Sequence, residues 1–467
     1  MESEAIIEPG DYLRLDSVPN AQTSTIRDKA IATQNIKAGT TILTSKPSAT
    51  ALLASEKGKR CDHCCNKLRS LNRCKNCAAY YYCDVACQAA DWKLRHKKMC
   101  KSYNKWKASV EYQRLDEHVK SDMVLLSHLV AEIVAQNKLA LFDDRRSELR
   151  VITSLMKNPY TTLPAGGMCP IPGQHSDEIL GDFYSRFSRN NFAIHSHFTS
   201  FAHGMYPLAS RIFNHSCVPN AAAKYILKKG EPPLMKVIAL SDIIEGDEVC
   251  IPYIDPALIQ RRAQILDYSY GFTCACVSCK YLRRTCGGLA LPTIKPPPKD
   301  PRQAVKLVEV QPLTAQELWD GTKTLPDELK FIFHEEWLIM QTSLYSKYSH
   351  DGPPNTALAC GELIIYTYKL IYSSNYPQIG LHCLEQAKTA WNAIVSDTSG
   401  KSPAEVSYIP SGEPGLATFV KALREAKRIL DIVGEEGDPE GPLNEIGVLE
   451  KNLQGLLDEW HINLVEK

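Results

Sequence analysis

The chain has 467 residues, enough material for roughly two to four domains. Its 44 % hydrophobic and 23 % charged residues give the profile of an ordinary soluble protein, and a formal net charge of +1 supplies no global basic field for nucleic acid. The opening "MESEAIIEPGDYLRLD" has no apolar core segment and is not read as a secretory signal, and no apolar run is long enough to span a bilayer.

In chain order, "YLRLDSV", "KAIATQNI" and "TTILTS" alternate apolar and polar residues, which predicts short strands punctuated by Gly39 and Pro47. Residues 61–100 hold eight of the 17 cysteines. Leu125/Leu126, Leu129/Val130 and Ile133/Val134 then recur at helical spacing, predicting an amphipathic helix. Strand-like pieces return at "LMKVIAL" and "DEVCIPYI", followed by a second cysteine cluster over 274–286. The proline-rich "LPTIKPPPKDPR" reads as an extended linker. Beyond it the pattern is helical. Leu363, Tyr366 and Leu370 form one apolar stripe, and Phe419, Leu423, Ala426 and Ile429/Leu430 another; both are expected in a core. Paired helices suggest tetratricopeptide-like packing, with a plain helical bundle as the alternative.

The cysteine count is odd and many cysteines sit two or three residues apart, which points to metal ligands in a reducing compartment and not to disulfides. The first cluster reads Cys61-x2-Cys64, Cys74-x2-Cys77, Cys83-x3-Cys87 and His96-x3-Cys100. Four such pairs make two closed tetrahedral zinc sites. About 40 residues bury too little to fold alone, so metal is expected to supply the missing stability. Cys65 fits no pair and is read as a bystander.

"CDHC…CKNCAAYYYCDVACQAADWKLRHKKMC" resembles a MYND zinc finger through all eight ligands. The resemblance implies interleaved pairs: Cys61, Cys64, Cys83 and Cys87 on one zinc, and Cys74, Cys77, His96 and Cys100 on the other. It also implies a module that binds short proline-containing peptides. Tyr80 to Cys83 and Asp91-Trp92 then either present an aromatic surface or fill a small core. The basic run "KLRHKK" would serve DNA binding in a weaker reading; most such runs are solvated faces.

The second cluster, Cys274-x-Cys276-x2-Cys279, lacks a fourth thiol; Cys286 and the lone Cys217 of "NHSCVPN" are the candidates. "RIFNHSCVPN", "IIEGDEVCIPYID" and "YGFTCACVSC" resemble the SET domain of protein lysine methyltransferases with its post-SET zinc loop. A SET domain interrupted by a MYND finger and followed by helices is the layout of the SET-and-MYND family. That resemblance implies an α+β fold and three zinc ions, with Cys217 joining Cys274, Cys276 and Cys279. It implies S-adenosylmethionine as methyl donor, contacted by Asn190, Asn214, His215 and Phe272. Tyr253 and Tyr270 stand where the family places its channel tyrosines, with Phe272 completing the wall. Tyrosine suits that task because its ring walls an apolar channel while its hydroxyl orients the amine. Gly246 is read as a turn residue only.

The implied segments are 1–60 and 190–255 for the split β-rich SET domain, 61–100 for the finger and 101–189 for a helical insert. Residues 256–290 form the zinc loop, 291–311 the linker and 312–467 an all-α domain. The expected activity is methylation of protein lysine, histone or not, in cytoplasm and nucleus. Membrane association is not expected, and neither is direct nucleic-acid binding. One stretch departs from the family: Arg27-Asp28-Lys29 replaces the usual Gly-x-Gly of the donor loop. Arg27 or Lys29 pairs there either with the donor carboxylate or with neighbouring groups. The departure motivates the alternative of a catalytically idle adaptor that binds protein partners.

Overall fold

The alternating stretches before residue 60 pair as antiparallel strands. The computed structural model describes residues 7–19, 26–136, 144, 147–172, 177–197, 199–285, 301–310, 313–398, 414–437 and 441–459. These fall into two units: Met1–Asn214, Ala221–Cys250 and Glu435–Pro439 in the first, and His215–Asn220, Ile251–Gly434 and Glu440–Lys467 in the second. The division cuts "NHSCVPN" after its first asparagine.

In the first unit, Leu13–Pro19 pairs with Ile26–Ala32, Leu13 opposite Ala32 and Pro19 opposite Ile26. Arg27-Asp28-Lys29 is therefore a paired strand, whereas the family pattern has a glycine loop. Residues 247–249 run beside that strand, Val249 N–H donating to the Ala30 carbonyl at 2.7 Å and Ala32 N–H to that of Asp247 at 2.9 Å. Gly246 makes the turn before them at φ +93°, a region that favours glycine. The described residues also form two three-stranded antiparallel sheets, besides short two-stranded pairs. One orders Ala221–Ile226, Leu234–Ala239 and Thr41–Ser45; the other orders Ala49–Leu52, Thr199–Met205 and Asn191–Ser196.

The helix Glu117–Ala135 differs from the amphipathic expectation. Every residue from Met123 to Ile133 is buried, because the finger, the Ala49–Leu52 strand and the Asp177–Asn190 helix all pack around it. Truncating Leu125 or Leu129 there would cost about 2–5 kcal/mol. The finger shares this core. Tyr80 and Tyr82 are fully buried and fill the core, while Tyr81 and Trp92 are half-buried. Tyr82 donates to Asp91 Oδ2 at 2.7 Å, and Arg95 Nε to Asp91 Oδ1 at 2.9 Å. The other Arg95 donors reach the carbonyls of Thr50 and Asp62 at 3.1 and 2.9 Å. The basic run is thus no continuous cationic face: Arg95 and His96 are buried, and only the lysines flank them outside.

The second unit is helical: Pro301–Val310, Ala315–Asp320, Glu335–Asp351, Pro354–Ile371, Pro377–Thr398, Pro414–Val433 and Pro442–Glu459. Proline opens five of them, where its missing N–H costs no hydrogen bond and its fixed φ is already helical. Thr314 and Glu317 close a reciprocal cap on the second. The last five pack on one another in sequence order, and the stripe of Phe419, Leu423, Ala426, Ile429 and Leu430 lies in their core. The proline-rich linker is shorter than expected: residues 301–310 are helical, with Pro301 at the first helical position, where its fixed φ already suits a helix. Residues 291–300 lie outside the described residues, as does Cys286.

Candidate metal centres and an aromatic site

Three groups of possible metal ligands occur among the described residues: Cys61, Cys64, Cys83 and Cys87; Cys74, Cys77, His96 and Cys100; and Cys217, Cys274, Cys276 and Cys279. Within each, the ligand atoms lie within 4.8 Å of one another. Metal–sulfur bonds of ~2.3 Å at tetrahedral angles put sulfurs about 3.8 Å apart. The observed separations fit: Cys64 to Cys83 at 3.5 Å, Cys64 to Cys87 at 3.9 Å and Cys74 to Cys100 at 3.9 Å. In the third group Cys217 lies 4.0 Å from Cys274 and 3.6 Å from Cys279. Soft thiolates in closed sets of four suit zinc.

In the finger, the chain turns tightly between ligands, and Cys65 and Ala78 take left-handed φ of +60° and +56°. Cys65 joins no group; it is a buried turn residue whose thiol is pushed up by burial. His96 Nε2 sits 3.5 Å from Cys77 Sγ. Burial lowers this imidazole to about 4, so at neutral pH its ring keeps the lone pair that a metal needs.

The third group joins Cys217 to a segment that starts 57 residues later. A buried cation lies beside it. The Arg262 side chain is 1 % exposed, and its nitrogens donate to the Pro256 carbonyl at 3.0 Å and the Ser278 hydroxyl at 2.8 Å. Neither partner is an anion. Burial opposes its charge, but the thiols, Cys217 first, outweigh that and raise it. Four thiolates on a dipositive ion leave two net negative charges, which this guanidinium partly offsets. Nothing in "IQRRAQIL" marks Arg262 over Arg261, which instead pairs with Glu335 at 2.6 Å.

Three rings cluster together, and two of them, Tyr270 and Phe272, pack against the same group. Tyr253 and Tyr270 have centroids 5.1 Å apart, Tyr253 and Phe272 6.4 Å, and Tyr270 and Phe272 6.5 Å. Tyr270 and Phe272 flank Gly271, whose φ of +73° ends a helical turn over Leu266–Tyr270 and swings both rings to one side. The Tyr270 hydroxyl lies 3.4 Å from the Tyr253 carbonyl, and burial raises its pKa, so it stays a neutral phenol. His215 completes the set, 5.3 Å from Tyr253 and 6.0 Å from Phe272 between centroids.

Asn190 and Asn214 belong to the first unit. Asn214 Nδ2 donates to the Asp28 carbonyl at 2.9 Å and to Glu248 Oε1 at 2.8 Å. Glu248 also pairs with Lys29 at 3.4 Å, while the Asp28 carboxylate accepts from Ser17 at 2.7 Å and pairs with Arg211. Lys29 therefore has a neighbouring carboxylate, and the strand that replaces Gly-x-Gly is stitched in place by charge. Asn190 Nδ2 folds back onto the carbonyls of Arg186 and Met156 at 2.8 and 3.0 Å. Glu248 and Arg211 are residues the sequence did not single out, since only the tertiary fold brings them to Asp28-Lys29.

The SET domain family matches residues 29–254. Among curated relatives, the chain is similar to N-lysine methyltransferase SMYD2 of Gallus gallus, 28 % identical over 316 residues, covering 64 % of this chain and 66 % of that protein. It is similar to N-lysine methyltransferase SMYD2 of Mus musculus, 30 % identical over 250 residues, covering 50 % and 53 %. It is also similar to histone-lysine N-methyltransferase ASHR1 of Arabidopsis thaliana, 28 % identical over 255 residues, covering 53 % and 51 %. The chain thus spans between 51 % and 66 % of the length of these relatives. No helix among the described residues is long and apolar enough to cross a membrane. With both finger ligand sets lying inside the matched range, the chain carries a SET domain interrupted by a MYND-type zinc finger, the layout of the SET-and-MYND proteins.

Proposed function

We propose that this protein transfers methyl groups from S-adenosylmethionine to the side-chain amine of protein lysines. The observation that carries the reading is the trio of Tyr253, Tyr270 and Phe272, two of whose rings, Tyr270 and Phe272, pack against a four-thiolate group. The donor supplies an electrophilic methyl on a sulfonium. The chain's own task is to present the lysine as a free amine and to aim it. A lysine ammonium, with an ordinary pKa of about 10.4, has no lone pair. Burial and the positive charge of the donor's sulfonium both disfavour its charged form, so its proton leaves to solvent before the attack. The Tyr270 phenol and the Tyr253 carbonyl and hydroxyl are the polar groups that orient the nitrogen. Alignment of this kind is worth up to several kcal/mol.

Asn190 and Asn214 are proposed for the donor side, together with His215 through its backbone. The Nδ2 of Asn190 and that of Asn214 are held by backbone and carboxylate oxygens. The roles of the twelve metal ligands are proposed as purely structural. For the finger we propose proline-containing peptides as partners, with Val85, 77 % exposed, as a contact point. Cytoplasm and nucleus are the proposed compartments.

The test uses zinc-loaded full chain, methyl-labelled donor and a lysate of protein substrates. Labelled lysine is the expected product. Tyr253→Phe should lower kcat tenfold or more while donor affinity by calorimetry stays within roughly twofold, because the hydroxyl acts on the amine. A second reading, the adaptor, is favoured by one observation: Asp28 and Lys29 are fixed by ion pairs where the family pattern has glycines. Wild-type protein that binds no donor in calorimetry would select it.

A further inference from the structure

The third thiolate group and the aromatic trio share one side chain, His215. A backbone N–H can only donate, and Tyr253 N–H points at His215 Nδ1 from 3.0 Å. Nδ1 is therefore an acceptor. A neutral imidazole has one ring proton, which must then sit on Nε2. Nε2 lies 3.2 Å from Cys217 Sγ, so its N–H donates to that sulfur. The ring is buried, and both its nitrogens are consumed within the second unit. No polar ring atom is left to contact a methyl donor. The neighbouring backbone adds a parallel tie, Ser216 N–H donating to the Ile251 carbonyl at 3.1 Å.

We propose that His215 is a positioning residue that fastens the Tyr253 backbone to the third zinc centre through an Nε2–H···Sγ bond to Cys217. The inference rests on the reading of that group as a zinc site and of Tyr253 as a channel residue. Groups that hydrogen-bond metal ligands orient the ligand and tune the metal, and their loss typically costs 10–100-fold in metal affinity. A donor-contact role for the imidazole predicts something else: weaker donor binding with zinc untouched.

Two variants divide the strut. His215→Asn keeps an acceptor within reach of Tyr253 N–H and loses the donor to sulfur. His215→Gln keeps an N–H at the reach of Nε2. On full-length protein in a competing chelator, His215→Asn should release one zinc of three roughly tenfold faster, the two finger ions leaving at the wild-type rate. His215→Gln should release all three at close to wild-type rates. On cobalt-substituted protein, the difference spectrum of His215→Asn against wild type should show a thiolate-to-cobalt band moved to lower energy, since a sulfur without its N–H donor is richer in electrons. Unchanged release and an unchanged band in His215→Asn overturn the proposal. If His215→Asn loses all three ions together it has unfolded, and His215→Gln then decides: release of the third zinc as fast as from the Asn variant overturns it. Neither readout involves methyl transfer, so an inactive enzyme with the expected zinc behaviour overturns the activity and leaves this inference standing.

Discussion

The finger and the third thiolate group use the same ligands to different ends. In the finger, two interleaved sets lie within a continuous stretch from Cys61 to Cys100, in one core with Tyr80, Tyr82, Leu125 and Leu129. Metal there substitutes for apolar mass that a short segment lacks. In the third group, Cys217 meets a segment beginning 57 residues on, and only Leu266 shares its small buried cluster. Half-buried Tyr270 and Phe272 pack against it from outside. A metal held there would be a joint, closing a long loop beside the rings of Tyr270 and Phe272. The surroundings differ in kind too. The finger's buried Arg95 has a carboxylate partner in Asp91, whereas Arg262 has none among its hydrogen bonds and faces thiolates instead.

The largest expected effects come from breaking one ligand in each region. Cys77→Ser should remove a finger zinc and unfold much of the first unit's core, because structural zinc binding in such modules is on the order of 10 kcal/mol. Circular dichroism melts should then show an early loss of cooperative unfolding. Cys217→Ser should lose one zinc of three by metal analysis, keep the main melt within a few degrees, and abolish the proposed methyl transfer. If Cys217→Ser melts as early as Cys77→Ser, the third group is a folding site and the contrast collapses.

Arg262→Met sharpens the same contrast through charge. It leaves all twelve ligands intact and removes the buried cation. The expected result is a 10–100-fold weaker third zinc with normal finger occupancy, read by chelator competition. Arg262→Lys should recover only part, since a lysine keeps the charge but not the fork that reaches Pro256 and Ser278 together.

What was legible in the sequence follows from what short spacing can encode. The ligand pairs of the finger are local, so they could be read directly; their interleaving is a tertiary fact and came only with the family resemblance. The choice of Cys217 over Cys286 was open for the same reason. Tyr253, Tyr270 and Phe272 sat in recognisable motifs. So did His215, but not the use of its ring on sulfur and backbone, and Arg262 looks like any helix-surface arginine until its burial is known. The helix Glu117–Ala135 showed its period but not that it would be enclosed all round, since enclosure depends on the finger and strands packed on it. The link between Asp28-Lys29 and the distant Arg211 and Glu248 has no sequence signature at all.

The smallest expected effect concerns protons and again separates the regions. Beneath the finger, His128 Nδ1 lies 2.6 Å from the Thr50 carbonyl and so donates to it, while Nε2 accepts from the Tyr80 hydroxyl at 2.7 Å. The neutral ring is thus fully satisfied, and burial holds its pKa well below the usual histidine range. In the unfolded chain it titrates near about 6.5. Between that value and the depressed folded one, the unfolded state binds a proton that the folded state does not. Stability is therefore full above about pH 6.5 and falls as pH drops below it, by at most about 1.4 kcal/mol per pH unit from this group. His128→Gln keeps a donor and an acceptor but cannot titrate. Urea melts of wild type and His128→Gln between pH 7.5 and 5.5, with zinc content checked at each pH, should show a shallower acid loss in the variant. The third group's chelator release of zinc should be the same in both proteins. Equal acid slopes for the two would mean that His128 is not what couples the finger's core to pH.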